Sequence, residues 1–335
     1  MQNKKLILIF TFVFLSFFSA NKSLSQSVLS FDASISSLSG YTEYKLFFQG
    51  TDVVQDTLFV FRRIESLLEF PIDSKIAKIQ ATFHSGAASS KSWSVVVSYS
   101  KNLSDPGEFM KDSDWDEIVG YFPRTKFSYT ESAADMNFAE FNIKADYQIM
   151  GSKSFSTFLS AGLKSQKISY EIDNFSGWFR FYNDATISYL PRDTILPASN
   201  LPALFYEVKY KMPYLGLGIE SLFSENNFLK ISGGYSVVFA EDFDDHLLRK
   251  KISTSEGNGR AFMGELRAHF VIGSISNKSL YVELAGEALS ILVKDTQTQS
   301  WYGDDPATPG DSVFGIPHTF KSEQFKIGLA IGLEI

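Results

Sequence analysis

The chain contains no cysteine, so no disulfide framework can hold it together. It has no excess of positive charge: the formal net charge is −7, with acids and bases mixed along the chain. That argues against nucleic acid as a partner, because such binders present a basic face. Long apolar runs are also scarce. The one that stands out, residues 6–18, follows Lys4 and Lys5 and precedes the small-residue stretch Ser23-Leu24-Ser25. It is shorter than the roughly 20 residues a membrane-spanning helix needs, and it has the layout of an export signal. Residues 1–25 are therefore expected to be a signal peptide and residues 26–335 the working domain. No other run is long enough for a transmembrane helix. An exported chain without disulfides must be stabilised in another way.

What is abundant is aromatic residues, with 32 Phe and 15 Tyr, and an alternating pattern. At the C-terminus Phe325, Ile327, Leu329, Ile331, Leu333 and Ile335 share one strand face, while Lys326, Gly328, Ala330, Gly332 and Glu334 share the other. An unbroken alternation of this kind is what an outer-membrane barrel offers as its closing strand. Ten such segments lie near 28–48, 57–83, 92–103, 127–149, 153–173, 202–223, 226–241, 258–274, 278–294 and 320–335. Several exceed the roughly 9–11 residues that a bilayer requires. The expected fold is all-β: a ten-stranded antiparallel transmembrane β-barrel whose strands extend beyond the outer membrane. Connections after the even segments are short, such as Met150-Gly151-Ser152. Those after the odd segments from the third onward are mostly long and hold Pro and Gly clusters, such as Asp304-Asp305-Pro306. Long loops would face the cell exterior and both chain ends the periplasm. Polar residues such as Glu140, Lys144, Asp146, Glu207 and Lys209 are expected to fill the lumen as ion pairs.

Two acidic elements carry the candidate chemistry. Asp112-Ser113-Asp114-Trp115 follows the third segment and is expected on an outer loop. Asp242-Phe243-Asp244-Asp245-His246 follows the seventh. Side chains two apart on an extended strand point the same way, roughly 6–7 Å from each other. Asp112 thus pairs with Asp114, and Asp244 with His246. The topology puts both pairs on the outer rim, and carboxylates beside an imidazole are suited to activating a water. A calcium loop starting at Asp112 is disfavoured, because Glu117 stands where that loop needs glycine and Pro123 where it needs glutamate. His84, His269 and His318 lack a comparable acidic setting and read as structural. Ser132 beside Glu131 has no histidine near it in sequence, against a serine-hydrolase reading.

Read in order, several motifs resemble the omptin family of bacterial outer-membrane endoproteases. Leu38-Ser39-Gly40 resembles the family's first strand, Asp112-Ser113-Asp114-Trp115 its D-x-D-W, Lys211-Met212-Pro213-Tyr214-Leu215-Gly216-Leu217 its K-M-P-Y-[IL]-G-L, and Asp242 to His246 its D-x-D-x-H. The resemblance implies an aspartic-type endopeptidase on the cell exterior that cleaves cationic peptides at Arg or Lys. It implies Asp112, Asp114, Asp244 and His246 as catalytic residues and Asp242 as an acid of the basic side-chain pocket. A second pocket acid is implied on the first strand. The acid here, Glu43, comes one place early, so it serves the pocket only if that strand carries a bulge. The family's lipid contacts map onto Leu163, Ser165, Lys167 and Lys209, of which Lys167 and Lys209 retain charge. No cofactor is implied beyond a lipopolysaccharide requirement. The alternatives are a catalytically silent barrel acting as adhesin or structural protein, and a small channel.

Overall fold

Alternating sequence becomes alternating exposure. In the computed structural model every long element is a strand, and each strand turns one set of side chains inward and the other outward. The structure describes residues 27–55, 58–85, 92–152, 154–191, 193–224, 227–276, 278–302 and 310–335. The expected signal segment 1–25 lies outside them, as do parts of several expected turns and the Asp304–Pro309 portion of the last long connection.

Among the described residues ten antiparallel positions form a closed ring. They are β1 (Ser27–Val54), β2 (Leu58–Pro71 and Ser74–Ser85), β3 (Trp93–Asn102 and Met110–Ile118), β4 (Phe122–Gly151), β5 (Phe155–Phe179), β6 (Leu204–Ser224), β7 (Asn227–His246), β8 (Lys251–Ile275), β9 (Lys278–Trp301) and β10 (Ser312–Glu334). β10 closes on β1 in continuous register from Ser30↔Glu334 to Leu46↔His318. Closure gives backbone N–H and C=O groups partners without water, which a lipid setting demands.

The barrel changes character along its axis. In the lower half the outward residues are apolar and bare, with Ile35 63%, Leu217 58% and Leu329 53% exposed. The inward ones are charged and paired: Lys326 with Glu140 at 2.8 Å, Lys144 with Glu265 at 2.9 Å, and Lys230 with Asp146 at 2.7 Å. In the upper half the polarity inverts. Tyr206, Val208, Tyr210 and Met212 are buried inside, while Glu207, Lys209 and Lys211 face outward. The lumen assignment of Glu207 and Lys209 is thus corrected: above the lipid belt water bathes the outside, so charge sits there. Phe70 stacks on Tyr206 at 4.5 Å and on Tyr170 at 4.9 Å, an aromatic layer across the bore between the ionic lumen and the rim.

Two breaks shape the upper half. β1 pairs with Ser74–Ser85 of β2 below Leu38 and with Leu58–Pro71 from Tyr41 upward. Gly40, between them, has φ +129, and a Cβ there would lie 1.9 Å from the Glu323 carbonyl oxygen, so only glycine fits. β3 leaves the sheet after Asn102 and rejoins it at Met110. Over that gap side chains supply the missing ladder: Asp105 accepts from Met136 N at 3.0 Å, and Asn102 accepts from Phe138 N at 3.0 Å and donates to Met136 O at 2.6 Å. Asp112 and Asp114 therefore lie on a strand, not on the outer loop expected from the sequence. The third connection shrinks to Val119–Tyr121, because the residues beyond the break pair with β2 and β4 instead of looping.

Candidate active site

Strand parity aims each side chain; on β3 it is the unshifted pairing with β2 that sets it, since the pairing with β4 shifts after Asp114 and again after Asp116. On β7, register with β6 and β8 sends Asp242, Asp244 and His246 inward. On the upper part of β3, Met110, Asp112, Asp114, Asp116 and Ile118 alternate inward. β8 adds Lys251, Ser253 and Ser255; β9 adds Gln297 and Gln299; β10 adds His318; β1 adds Tyr44. These residues all face the bore above the aromatic layer, and the space between them is the cleft.

Electrostatics tie the walls together. Burial pushes the Asp112 carboxyl above its ordinary range; the like charge of Asp114 adds to this, and the charge on Asp244 contributes from the β7 wall. Burial also raises Asp244, to about 7, with Lys251 and Arg249 opposing and Asp245 adding to the rise. Asp242 is raised to about 8 by burial, although Ser255 Oγ donates to its Oδ1 at 2.5 Å. His246 is lowered to about 3 by burial first and then by Arg249 and Lys251, so its ring is neutral at physiological pH.

Among the described residues, buried polar atoms in this cleft lack protein partners: Asp112 Oδ1, Asp242 Oδ2, Asp244 Oδ1, His246 Nδ1, Ser253 Oγ, Gln297 Nε2, Gln299 Nε2 and His318 Nε2. Orphaned groups are costly, and one cleft holding so many is built to receive water or a polar ligand. Asp244 Oδ1 and His246 Nδ1 belong to side chains on the same face of one strand.

Not every expected residue joins them. Glu43 lies on the outer face. The β1–β10 register runs from Ser30 to Leu46 without a shift, so Thr42 and Tyr44 point in and Glu43 points out. The bulge that would have turned it inward does not exist. Tyr44 takes the inward place, donating to Gln297 Oε1, with its ring 4.2 Å from His318. Lys167 and Lys209 also face outward, about half exposed, and both pair with Glu207, at 2.7 and 2.8 Å. Asp116, next in the β3 series, is engaged: Arg62 binds it through two nitrogens and Tyr189 donates to it at 2.8 Å. His318, read as structural, sits in the cleft, its Nδ1 3.4 Å from Ser255 Oγ. Ser253, Ser255, Gln297 and Gln299 were legible only as polar residues two apart, a signal visible once the inward parity of β8 and β9 is known.

A closed ten-position barrel with an apolar outer belt and an acid-lined cleft at one end defines a class, the outer-membrane β-barrels with a site at the rim. The family model for the omptin family matches residues 66–329. The chain belongs to the omptin family of bacterial outer-membrane proteases. Among solved structures it is similar to the outer membrane protease OmpT from Escherichia coli, at 18% identity and TM-score 0.64, covering 94% of this chain and 99% of that one. That likeness concerns the fold. A Pseudomonas aeruginosa FadL homologue, at 8% identity, TM-score 0.25 and coverage of 91% and 90%, supports no inference. No curated protein sequence matches the chain.

Proposed function

We propose that this outer-membrane barrel is an active endopeptidase that cuts exposed peptides beside Arg or Lys, its cleft facing the cell exterior. The observation that carries the reading is the inward aim of Asp112 and Asp114 from β3 and of Asp244 and His246 from β7, into one cleft with unpartnered polar atoms on both walls. A water held between the pairs accounts for those atoms.

Neutral His246 takes a proton from the water as its oxygen attacks the scissile carbonyl carbon. Asp244, two residues away on the same face, orients the ring and stabilises the imidazolium that forms. Asp112 and Asp114 hold the water from the other wall. The tetrahedral intermediate collapses, the C–N bond breaks, and His246 returns the proton to the leaving amine. Water itself is the nucleophile, so no acyl-enzyme forms. Asp242, whose Oδ2 is free, receives the basic side chain. Its proton leaves as the cation enters, because an opposite charge lowers a carboxyl that burial had raised. The acidic rim attracts cationic peptides and speeds their entry, an effect weakened by salt. On the outer wall Lys167 and Lys209 offer ammonium groups to lipopolysaccharide phosphates.

The test is cleavage of a fluorogenic peptide with Arg–Arg at its centre by the refolded barrel, with and without lipopolysaccharide. Turnover is expected, with loss of about 10²–10⁴-fold in His246→Ala. Turnover should also fall with acid as Asp244 protonates. No cleavage under either lipid condition would leave a catalytically silent barrel.

A further inference from the structure

We propose that Lys251 is a positioning residue of the cleft: its buried ammonium, opposite His246 in the β7–β8 ladder and on the inward face that also carries Asp244, is the fixed cation that sets the charge balance of the acid–histidine group. The inference rests on the protease reading of the cleft and adds to it a cation outside the acid–histidine set.

The placement is fixed by the hairpin. Residues Leu247–Arg249 make a single 3-10 turn, and Lys250 adopts a left-handed conformation with φ +47, its N–H bonded to Leu247 O. That turn starts β8 at Lys251, directly opposite His246 in the ladder. Parity then sends Lys251 inward with Ser253 and Ser255, and it is only 7% exposed. Unlike the lysines of the lower lumen, it closes no direct ion pair among the described residues. Asp244, Asp112 and Asp114 act on it at longer range. A buried ammonium without a contacting carboxylate is unfavourable. A buried cation beside the acid–histidine group, with no structural ion pair to hold it, is what a functional role requires.

The other groups around it do not replace it. Arg249, on the turn, acts on the same groups, ahead of Lys251 on Asp112 and His246 and behind it on Asp244, but it is exposed and its field is screened by solvent, whereas Lys251 is buried. Asp245 acts on Asp244 yet is bound by Tyr302 OH at 2.6 Å on the other face. β1 contributes Tyr44, β6 Tyr206 and β9 Gln299, all uncharged. Removing the ammonium therefore lets the carboxyls protonate at higher pH and lets the imidazole charge at higher pH. Both changes move the acid limb of activity the same way.

The experiment compares wild type, Lys251→Met and Lys251→Arg, each refolded as the full barrel and checked by heat-modifiable gel mobility. Carbon-13 histidine labelling reports the titration midpoint of His246, assigned by its loss in His246→Gln, and kcat/KM is measured across pH. In Lys251→Met the His246 midpoint and the acid limb should both rise by about 1 pH unit, the size expected for loss of one nearby charge. Lys251→Arg should stay near wild type. An unmoved His246 midpoint, or an arginine variant as displaced as the methionine one, overturns the proposal. A moved midpoint in a barrel that cleaves nothing would preserve the cation's role and sink the protease reading instead. Should the methionine variant not fold, Lys251→Gln serves the same comparison.

Discussion

At the scale of residues, what distinguishes the cleft is polar side chains that are buried and left without partners. Asp242 is the sharpest case, one oxygen held by Ser255 and the other free. With Glu43 on the outer face, β1 supplies no second acid to the proposed pocket of Asp242. Asp242→Asn should therefore raise KM for Arg- and Lys-containing peptides and lower kcat/KM by about 10²-fold, the value of a lost charge-assisted hydrogen bond of roughly 3 kcal/mol. Steady-state kinetics on a matched pair of peptides, with Arg or citrulline in the pocket position, checks this. An equal loss on both peptides would remove Asp242 from the pocket. The acid and histidine spacings were legible in sequence because two-apart residues share a strand face. Glu43 was not, because one missing residue of offset reverses a side chain, and only the unbroken β1–β10 register settles the parity. Tyr44 and Lys251 were invisible for the same reason: nothing in their local sequence marks which face is the cleft.

At the scale of elements, the cleft depends on how two strands are interrupted. Gly40 lets β1 pass from one piece of β2 to the other, and Asn102 and Asp105 complete the β4 ladder where β3 departs. Gly40→Ala would set a methyl against the Glu323 carbonyl in a backbone region costing an alanine about 1–3 kcal/mol before the clash is counted. The expected result is a lower melting transition, read by the temperature at which the barrel loses its folded gel mobility. An unchanged transition would mean the β1–β10 approach is looser than described. The sequence marked all ten positions, since their alternation is strong. It misread residues 110–118 as loop, because the Ser104-Asp105-Pro106-Gly107 cluster before them reads as the end of a strand. The interruption is real, but pairing to β2 and β4 outweighs it.

At the scale of the whole molecule, the barrel has two chemistries stacked along one axis. The lower half puts apolar groups outside and ion pairs inside; the upper half reverses this and ends in an acidic cleft. Asp242 and Asp244 are raised to about 8 and about 7 from an ordinary 3.8. The folded state therefore holds protons the unfolded chain has released. Their contribution to stability is fully present below about pH 4 and is lost as pH rises through 7 and 8. Asp242→Asn should melt increasingly above wild type as pH goes from 5 to 9, while matching it more closely at pH 5. A gap that is constant or shrinks with pH would show that Asp242 is ionised throughout and not shifted by burial.

The central claim is that water activated in this cleft cuts peptides beside basic residues. Mass-spectrometric mapping of cuts in a mixed peptide library, incubated with the refolded barrel and with its His246→Ala variant, tests it most directly. Wild type should cut next to Arg or Lys and the variant should leave the library intact. Cuts without a basic neighbour, or the same cuts from the variant, would contradict it.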